Sequence, residues 1–288
     1  MEILIYGIVN SVTLALMALG FTLVYGISGL PNFAHGALYI VTGFIVWSLI
    51  HTLNLNYLLA MFLSLFITGI IGAAIYRFIL IRVRGMATSE IIASYAIGLA
   101  VLEGLRWGGF KGMTYTLPVF VEGSLDLFGV NVDIQRIMVV VLGVVVMACL
   151  WLFTHYNRTG LALRAMAQDE RAALMLGIDS DRMAVAAMFL GSFLAGLAAV
   201  ALLPLGNIVV EAGYNVLIMA IAVCIVGGLG SWVGASLAAF LIGFVQILTV
   251  VYIGAHFQIV VALLAIIVTL ILRPSGLFGR QKELEERV

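Results

Sequence analysis

Polar and apolar positions in this chain are segregated on the scale of whole helices. No Asp, Glu, Lys or Arg occurs from Ile3 to Tyr76, and from Met183 to Leu272 there is one, Glu211. Apolar runs of about 20 residues recur, each long enough as a helix to cross a roughly 30 Å hydrocarbon core. They predict spans at about 3–26, 33–50, 57–81, 88–107, 135–154, 183–204, 214–231, 233–253 and 256–272. Within the run 214–253, the stretch GGLGSWVGA fits a tight turn, a broken helix or a re-entrant loop, so eight spans are an alternative to nine. Inside lipid only helices and closed barrels satisfy their own backbone. Barrel strands would be about 10 residues long with alternating polarity. These runs are longer and apolar on all sides, so the fold class is all-α: a polytopic helical bundle forming a single transmembrane domain over 1–288.

Composition agrees. Of 288 residues 64% are hydrophobic and 10% charged, against about 25% charged in soluble domains, so the solvent of this chain is a lipid bilayer. A net charge of +0 gives no field toward nucleic acid. Cys149 and Cys224 lie in separate apolar segments and read as small buried hydrophobes. The start, MEILIYGIVN, lacks a basic region and reads as a retained first span. Three basic clusters set the orientation. They are Arg77, Arg82 and Arg84; Arg158, Arg164, Arg171 and Arg182; and Arg273, Arg280 and Lys282. With nine spans all three fall on one side, which predicts an outer N-terminus and a cytoplasmic C-terminus. The outer loop at about 108–134 carries Glu122, Asp126 and Asp133 against Lys111, and the tail residues Glu283, Glu285 and Glu286 weigh little. Two stripes of small residues, Gly191/Ala195/Ala199 and Ala235/Ala239/Gly243, point to close helix packing, within the chain or against a second membrane subunit.

One polar island interrupts the chain. Tyr156 to Arg182 carries eight of its Asp, Glu, Lys and Arg residues. Positions 161–176 predict one amphipathic helix, with Leu161, Met166, Ala173 and Leu176 near one side and Arg164, Asp169 and Arg171 largely elsewhere; Gly177 can end it in a left-handed cap. Such a short surface helix suits a cleft on a cytoplasmic partner. Catalytic machinery is not visible. There is no G-x-x-x-x-G-K-[ST] phosphate loop, and the histidines at 35, 51, 155 and 256 have no metal-ligand spacing. Glu90, Glu103 and Glu211 are the only acidic candidates within or beside spans, which disfavours ion coupling.

The segment around Thr159-Gly160, Arg164-Ala165, Gln168-Asp169, Ala172-Ala173 and Leu176-Gly177-Ile178-Asp179 resembles the coupling loop of branched-chain amino acid ABC transporter permeases of the LivH type. ALGFTLVYGISGLPNFAHG (18–36), FLGSFLAGLAAV (189–200), VGGLGSWVGA (226–235) and LRPSGLFGR (272–280) agree, in the family's order, over nearly the whole chain. The resemblance implies an inner-membrane permease that binds no cofactor itself. ATP and Mg would sit on two cytoplasmic ATPases (LivG/LivF-like), beside a second, non-identical permease (LivM-like) and a periplasmic binding protein. Arg164, Gln168, Asp169, Arg171, Ala172, Ala173 and Gly177, within a coupling loop at about 156–182, would receive the ATPase stroke.

The expected translocation-path residues are Asn32 and His35, beside Pro31 at the first break, Glu211, and the glycines Gly227, Gly228 and Gly230, for which a structural turn is the competing reading. Related permeases tend to show Pro-x-x-Gly where this chain has Val210 and Gly213, so Glu211 stands as a lone carboxylate that can meet an ammonium at the outer mouth. Import of branched-chain or related hydrophobic amino acids is the leading function. Urea, short amides and small organic or aromatic acids are alternatives on the same fold; a stand-alone carrier or channel and a non-transporting subunit are alternatives in other classes.

Overall fold

The computed structural model describes residues 1–29, 31–109 and 115–279. Lys111, Arg280, Lys282, Glu283, Glu285 and Glu286, used above for orientation, lie outside the described residues. Eleven α-helices run in order: α1 (Glu2–Ser28), α2 (His35–Leu53), α3 (Tyr57–Phe78), α4 (Ala87–Gly104), α5 (Ile134–Tyr156), α6 (Arg158–Gln168), α7 (Glu170–Met175), α8 (Ser180–Leu202), α9 (Val210–Gly227), α10 (Trp232–Tyr252) and α11 (Gln258–Leu272). Among the described residues nine helical segments are long and apolar enough to cross a membrane. All but α6 and α7 belong to these segments, and the nine-span reading holds. The run 214–253 resolves into two spans with a tight turn between them.

The bundle is built around α1. Val12, Leu16, Leu19 and Leu23 are buried on one side of it and Leu14, Ala15, Ala18 and Phe21 on another. A helix apolar all round lies in a protein core or spans lipid; α1 is enclosed, and α8 and α10 flank it most extensively. Both small-residue stripes serve these two contacts. Gly191 of α8 lies against Gly20 and Val24, Gly243 of α10 lies against Ser11, and Ala195, Ala199 and Ala239 are fully buried. The stripes therefore pack internally. Some polar side chains inside the bundle pair across helices: Thr42 Oγ1 and Thr68 Oγ1 are 2.8 Å apart, and Asn10 Nδ2 donates to Gln246 Oε1 at 3.0 Å. At the periphery α11 buries only Ala262, and its Leu263, Leu264, Ile267 and Val268 face outward. Cys224 is buried as expected, whereas Cys149 is exposed on α5, a correction that follows from α5 being a peripheral helix.

Two further departures matter. A two-stranded antiparallel hairpin, β1 (Ser124–Leu127) and β2 (Val130–Asp133), occupies the loop before α5. Phe128 and Gly129 at its tip both have positive φ, as a two-residue hairpin turn requires. Helix α9 starts at Val210, four residues ahead of the predicted span, so Glu211 lies in its first turn. A carboxylate there faces the positive end of the helix dipole, and Glu211, outside the predicted span, begins the helix.

Candidate functional site

The polar island folds as two short helices, not one. Asn157 caps α6 by accepting from Thr159 N at 2.9 Å. Asp169 then leaves helical geometry (φ −157°, ψ 103°), and its side chain accepts from Ala172 N at 3.1 Å to open α7. An Asp competes with the backbone in this way and favours caps over helix interiors, which breaks the single predicted helix. Gly177 has φ +80° and closes α7, with Gly177 N donating to Leu174 O and Ile178 N to Ala173 O. The left-handed cap is therefore present as predicted. Of the expected apolar side, Met166 and Ala173 are buried, joined by Leu163, while Leu161 is exposed. Arg164, Gln168, Asp169, Arg171, Ala172 and Gly177 are exposed. Exposed too is a run at the end of α7: Leu174 at 49%, Met175 at 91% and Leu176 at 80%. Large apolar side chains this open on an otherwise polar loop mark a contact surface.

Arg84, in the connection between α3 and α4, ties this loop to the bundle. Its Nη2 lies 2.9 Å from Glu170 Oε1, and its guanidinium also meets Ser180 and Asp181. Ser180 Oγ in turn donates to Glu170 Oε1 at 2.7 Å. Burial works against the Arg84 charge, but Tyr76, Asp181 and Glu170 outweigh it and raise its pKa above the ordinary value. Next to it Glu90 is buried and accepts from Gly85 N at 2.8 Å. One cation thus joins the starts of α7 and α8 to the α3–α4 turn. The sequence offered each charge but no sign of the pairing, because the partners lie 86 and 97 residues from Arg84.

At the same end of the bundle, the turn between α9 and α10 meets the closing segment. Leu277 N donates to Val226 O at 2.9 Å and Phe278 N to Gly227 O at 3.0 Å. Gly228 has φ +101° and touches the backbone of Phe278 and Gly279; Gly230 lies against Gly26. Gly227 and Gly228 are buried in these contacts, so the three glycines sit where backbones cross.

The other path candidates fall apart from one another. Asn32 is 4% exposed and its Oδ1 accepts from Ala34 N at 3.1 Å, holding the turn into α2. His35 is 1% exposed, lies 2.9 Å through Nε2 from Met17 O, and packs edge-on against Phe21. Both are enclosed within the subunit. Glu211 lies at the opposite end of the bundle and is not a lone carboxylate. Its Oε1 is 2.8 Å from Arg106 Nη2, and Arg106 Nε is 3.7 Å from Glu103 Oε2. Tyr214 Oη donates to Glu103 Oε1 at 3.5 Å. Arg106 supplies the partner that sequence reading missed, 105 residues away.

Sequence similarity to known permeases extends over nearly the whole chain. The family model described as "Branched-chain amino acid transport system / permease component" covers residues 3–272. The chain belongs to this permease family. It is 31% identical to the high-affinity branched-chain amino acid transport system permease protein BraD of Pseudomonas aeruginosa, over 96% of this chain and 95% of that one. It is 29% identical to the LivH permease protein of Salmonella typhimurium, over 95% and 94%. Among solved structures, PsaBC from Streptococcus pneumoniae in complex with Fab aligns with a TM-score of 0.53 at 13% identity, covering 100% of this chain and 96% of that chain; that likeness concerns the fold alone. The permease is thus a multi-pass membrane subunit of an ABC transport system.

Proposed function

We propose that this permease imports branched-chain or closely related hydrophobic amino acids by alternating access, driven by two separate LivG/LivF-like ATPases that hold the ATP and Mg. A LivM-like second permease would complete the membrane unit and a periplasmic binding protein would deliver the solute. The observation that carries the reading is end-to-end similarity to permeases named for this transport, joined to an exposed loop of the coupling type. The relatives do not favour urea, amides or organic acids. In this reading the bundle end carrying α6, α7, Arg84 and the α9–α10 turn is cytoplasmic, since it also carries Arg77, Arg82, Arg158, Arg164, Arg171 and Arg273. The N-terminus is then periplasmic, in the inner membrane.

The apolar tip at Leu174, Met175 and Leu176 fits an ATPase cleft, flanked by Arg164, Gln168, Asp169 and Arg171. Purification from native membranes in mild detergent is expected to recover a P-loop ATPase and a second, similar permease. Recovery of this chain alone, while a control importer survives the same detergent, would overturn the reading. Met175→Asp is expected to weaken ATPase retention in that purification at least about tenfold, because burying one unpaired carboxylate in an apolar contact costs several kcal/mol. Retention at the unmutated level would remove α7 from the interface.

A further inference from the structure

We propose that the outward face shared by α4 and the start of α9 is the wall of the solute path, and that Glu103, Arg106 and Glu211 form its outer station for the two charges of an amino acid. The inference rests on the reading of this chain as an amino-acid importer subunit.

Solvent preference sets this face apart from the lipid-facing helices. Exposed side chains on α3, α5, α10 and α11 are almost all apolar, such as Phe62, Val144, Leu241 and Leu264, and lipid accepts them. The α4–α9 face is mixed: Ile92, Leu99 and Trp107 are exposed there, but polar groups join them. Tyr95 is 46% exposed, Glu103 and Arg106 about half exposed, and Glu211 67%; Asn215, one turn into α9, is also exposed. Tyr95 lies about 12 Å deeper along α4 than Glu103, at 1.5 Å per residue. An amide inside a span, such as Asn215, faces protein or water, not hydrocarbon, while Glu103, Arg106 and Glu211 stand at the helix ends, at the mouth. Only 17% of the α4 span is buried in this subunit, so its polar face is open to the seam with the second permease.

The outer station has the charge pattern of its ligand. Arg106 is carried on a π-helical turn, Leu105–Gly109, that follows α4, and such turns are frequent at functional sites. It holds two carboxylates, one from α4 and one from α9. A zwitterion can exchange with these pairs: its carboxylate takes Arg106 from Glu211, its ammonium takes the freed Glu211, and Arg106 keeps Glu103. No charge is left unpaired during the exchange, which keeps its cost low. Beneath it α2, α4 and α9 meet in an apolar seam formed by Phe33, Ala37, Leu99, Leu102 and Leu217, with room for little more than one water molecule.

The test uses the assembled transporter in membrane vesicles, with Cys149→Ser removing the exposed native thiol. Asn215→Cys and Tyr95→Cys are expected to react with a charged, membrane-impermeant methanethiosulfonate. Leu264→Cys and Val268→Cys on α11 are expected to react only with a lipid-soluble maleimide. Leucine with its binding protein is expected to protect Asn215→Cys, and Arg106→Gln to raise the leucine concentration needed at least tenfold. If Asn215→Cys and Tyr95→Cys behave like the α11 positions, the wall assignment falls. If they label but leucine protects equally well with Arg106→Gln, or not at all, the ionic station falls. Leucine uptake in the same vesicles separates the two readings: water-accessible labelling without leucine uptake would sink the proposed substrate while leaving the wall in place. Glu103→Gln repeats the protection assay should Arg106→Gln fail to insert.

Discussion

Arg84→Glu is expected to cut solute uptake about tenfold or more while the chain still inserts and still retains its ATPases. The guanidinium meets Glu170, Asp181 and Ser180 and so connects the start of α7, in the proposed coupling loop, and the start of α8 with the α3–α4 turn. The substitution sets a third carboxylate among two. A partly exposed ion pair is worth roughly 0.2–1 kcal/mol, and two attractions become two repulsions, a swing on the order of 2 kcal/mol. Coupling between distant sites is typically about 1–3 kcal/mol, so a swing of that size can abolish it. The readouts are uptake and ATP hydrolysis on the same vesicles, with hydrolysis persisting and losing its dependence on solute. Arg84→Glu combined with Glu170→Arg restores one pair in reversed order and is expected to recover part of the uptake. Full uptake in the single variant would show that the ion link carries none of the stroke.

The largest effect on stability is expected at Gly228. A Cβ there meets the backbone of Phe278 and Gly279, and φ is +101°. A side chain in left-handed backbone costs about 1–2 kcal/mol, and forcing volume into a packed site about 1–3 kcal/mol more. Gly228→Ala is therefore expected to lower the thermal midpoint in detergent by on the order of 10 °C, read by size-exclusion after heating. Gly206→Ala is the control, since its φ is −157° and nothing lies within 4 Å of the added carbon; its midpoint is expected unchanged. Equal midpoints for the two variants would mean that the turn yields and that the closing segment is not docked there in the membrane.

Both predictions concern contacts that the sequence names one half at a time. GGLGS and RPSGLFG stand nearly 50 residues apart in the chain and read as two separate signals; the structure joins them through Leu277 to Val226 and Phe278 to Gly227. Glu211 reads as a lone charge because no other falls within its apolar run, yet Arg106 comes from a different helix. Asp169 was legible as polar but not as a cap, since only its geometry shows that it takes the Ala172 amide and splits the island into α6 and α7.

By itself, the sequence determined the solvent and the class, and narrowed the spans to eight or nine. The exclusion of charge from 20-residue runs is a one-dimensional pattern, and lipid enforces it locally, residue by residue. The left-handed cap at Gly177 was legible for the same reason, because it depends on neighbours along one helix. Tertiary structure decided which faces meet. Helices apolar all round carry no periodic mark of their buried side, so the burial of α1, the enclosure of Asn32 and His35, and the exposure of the polar α4–α9 face were open until the helices packed. Ion partners followed the same rule: charge attracts through space, and the chain's order does not record which turns the bundle brings within 3 Å.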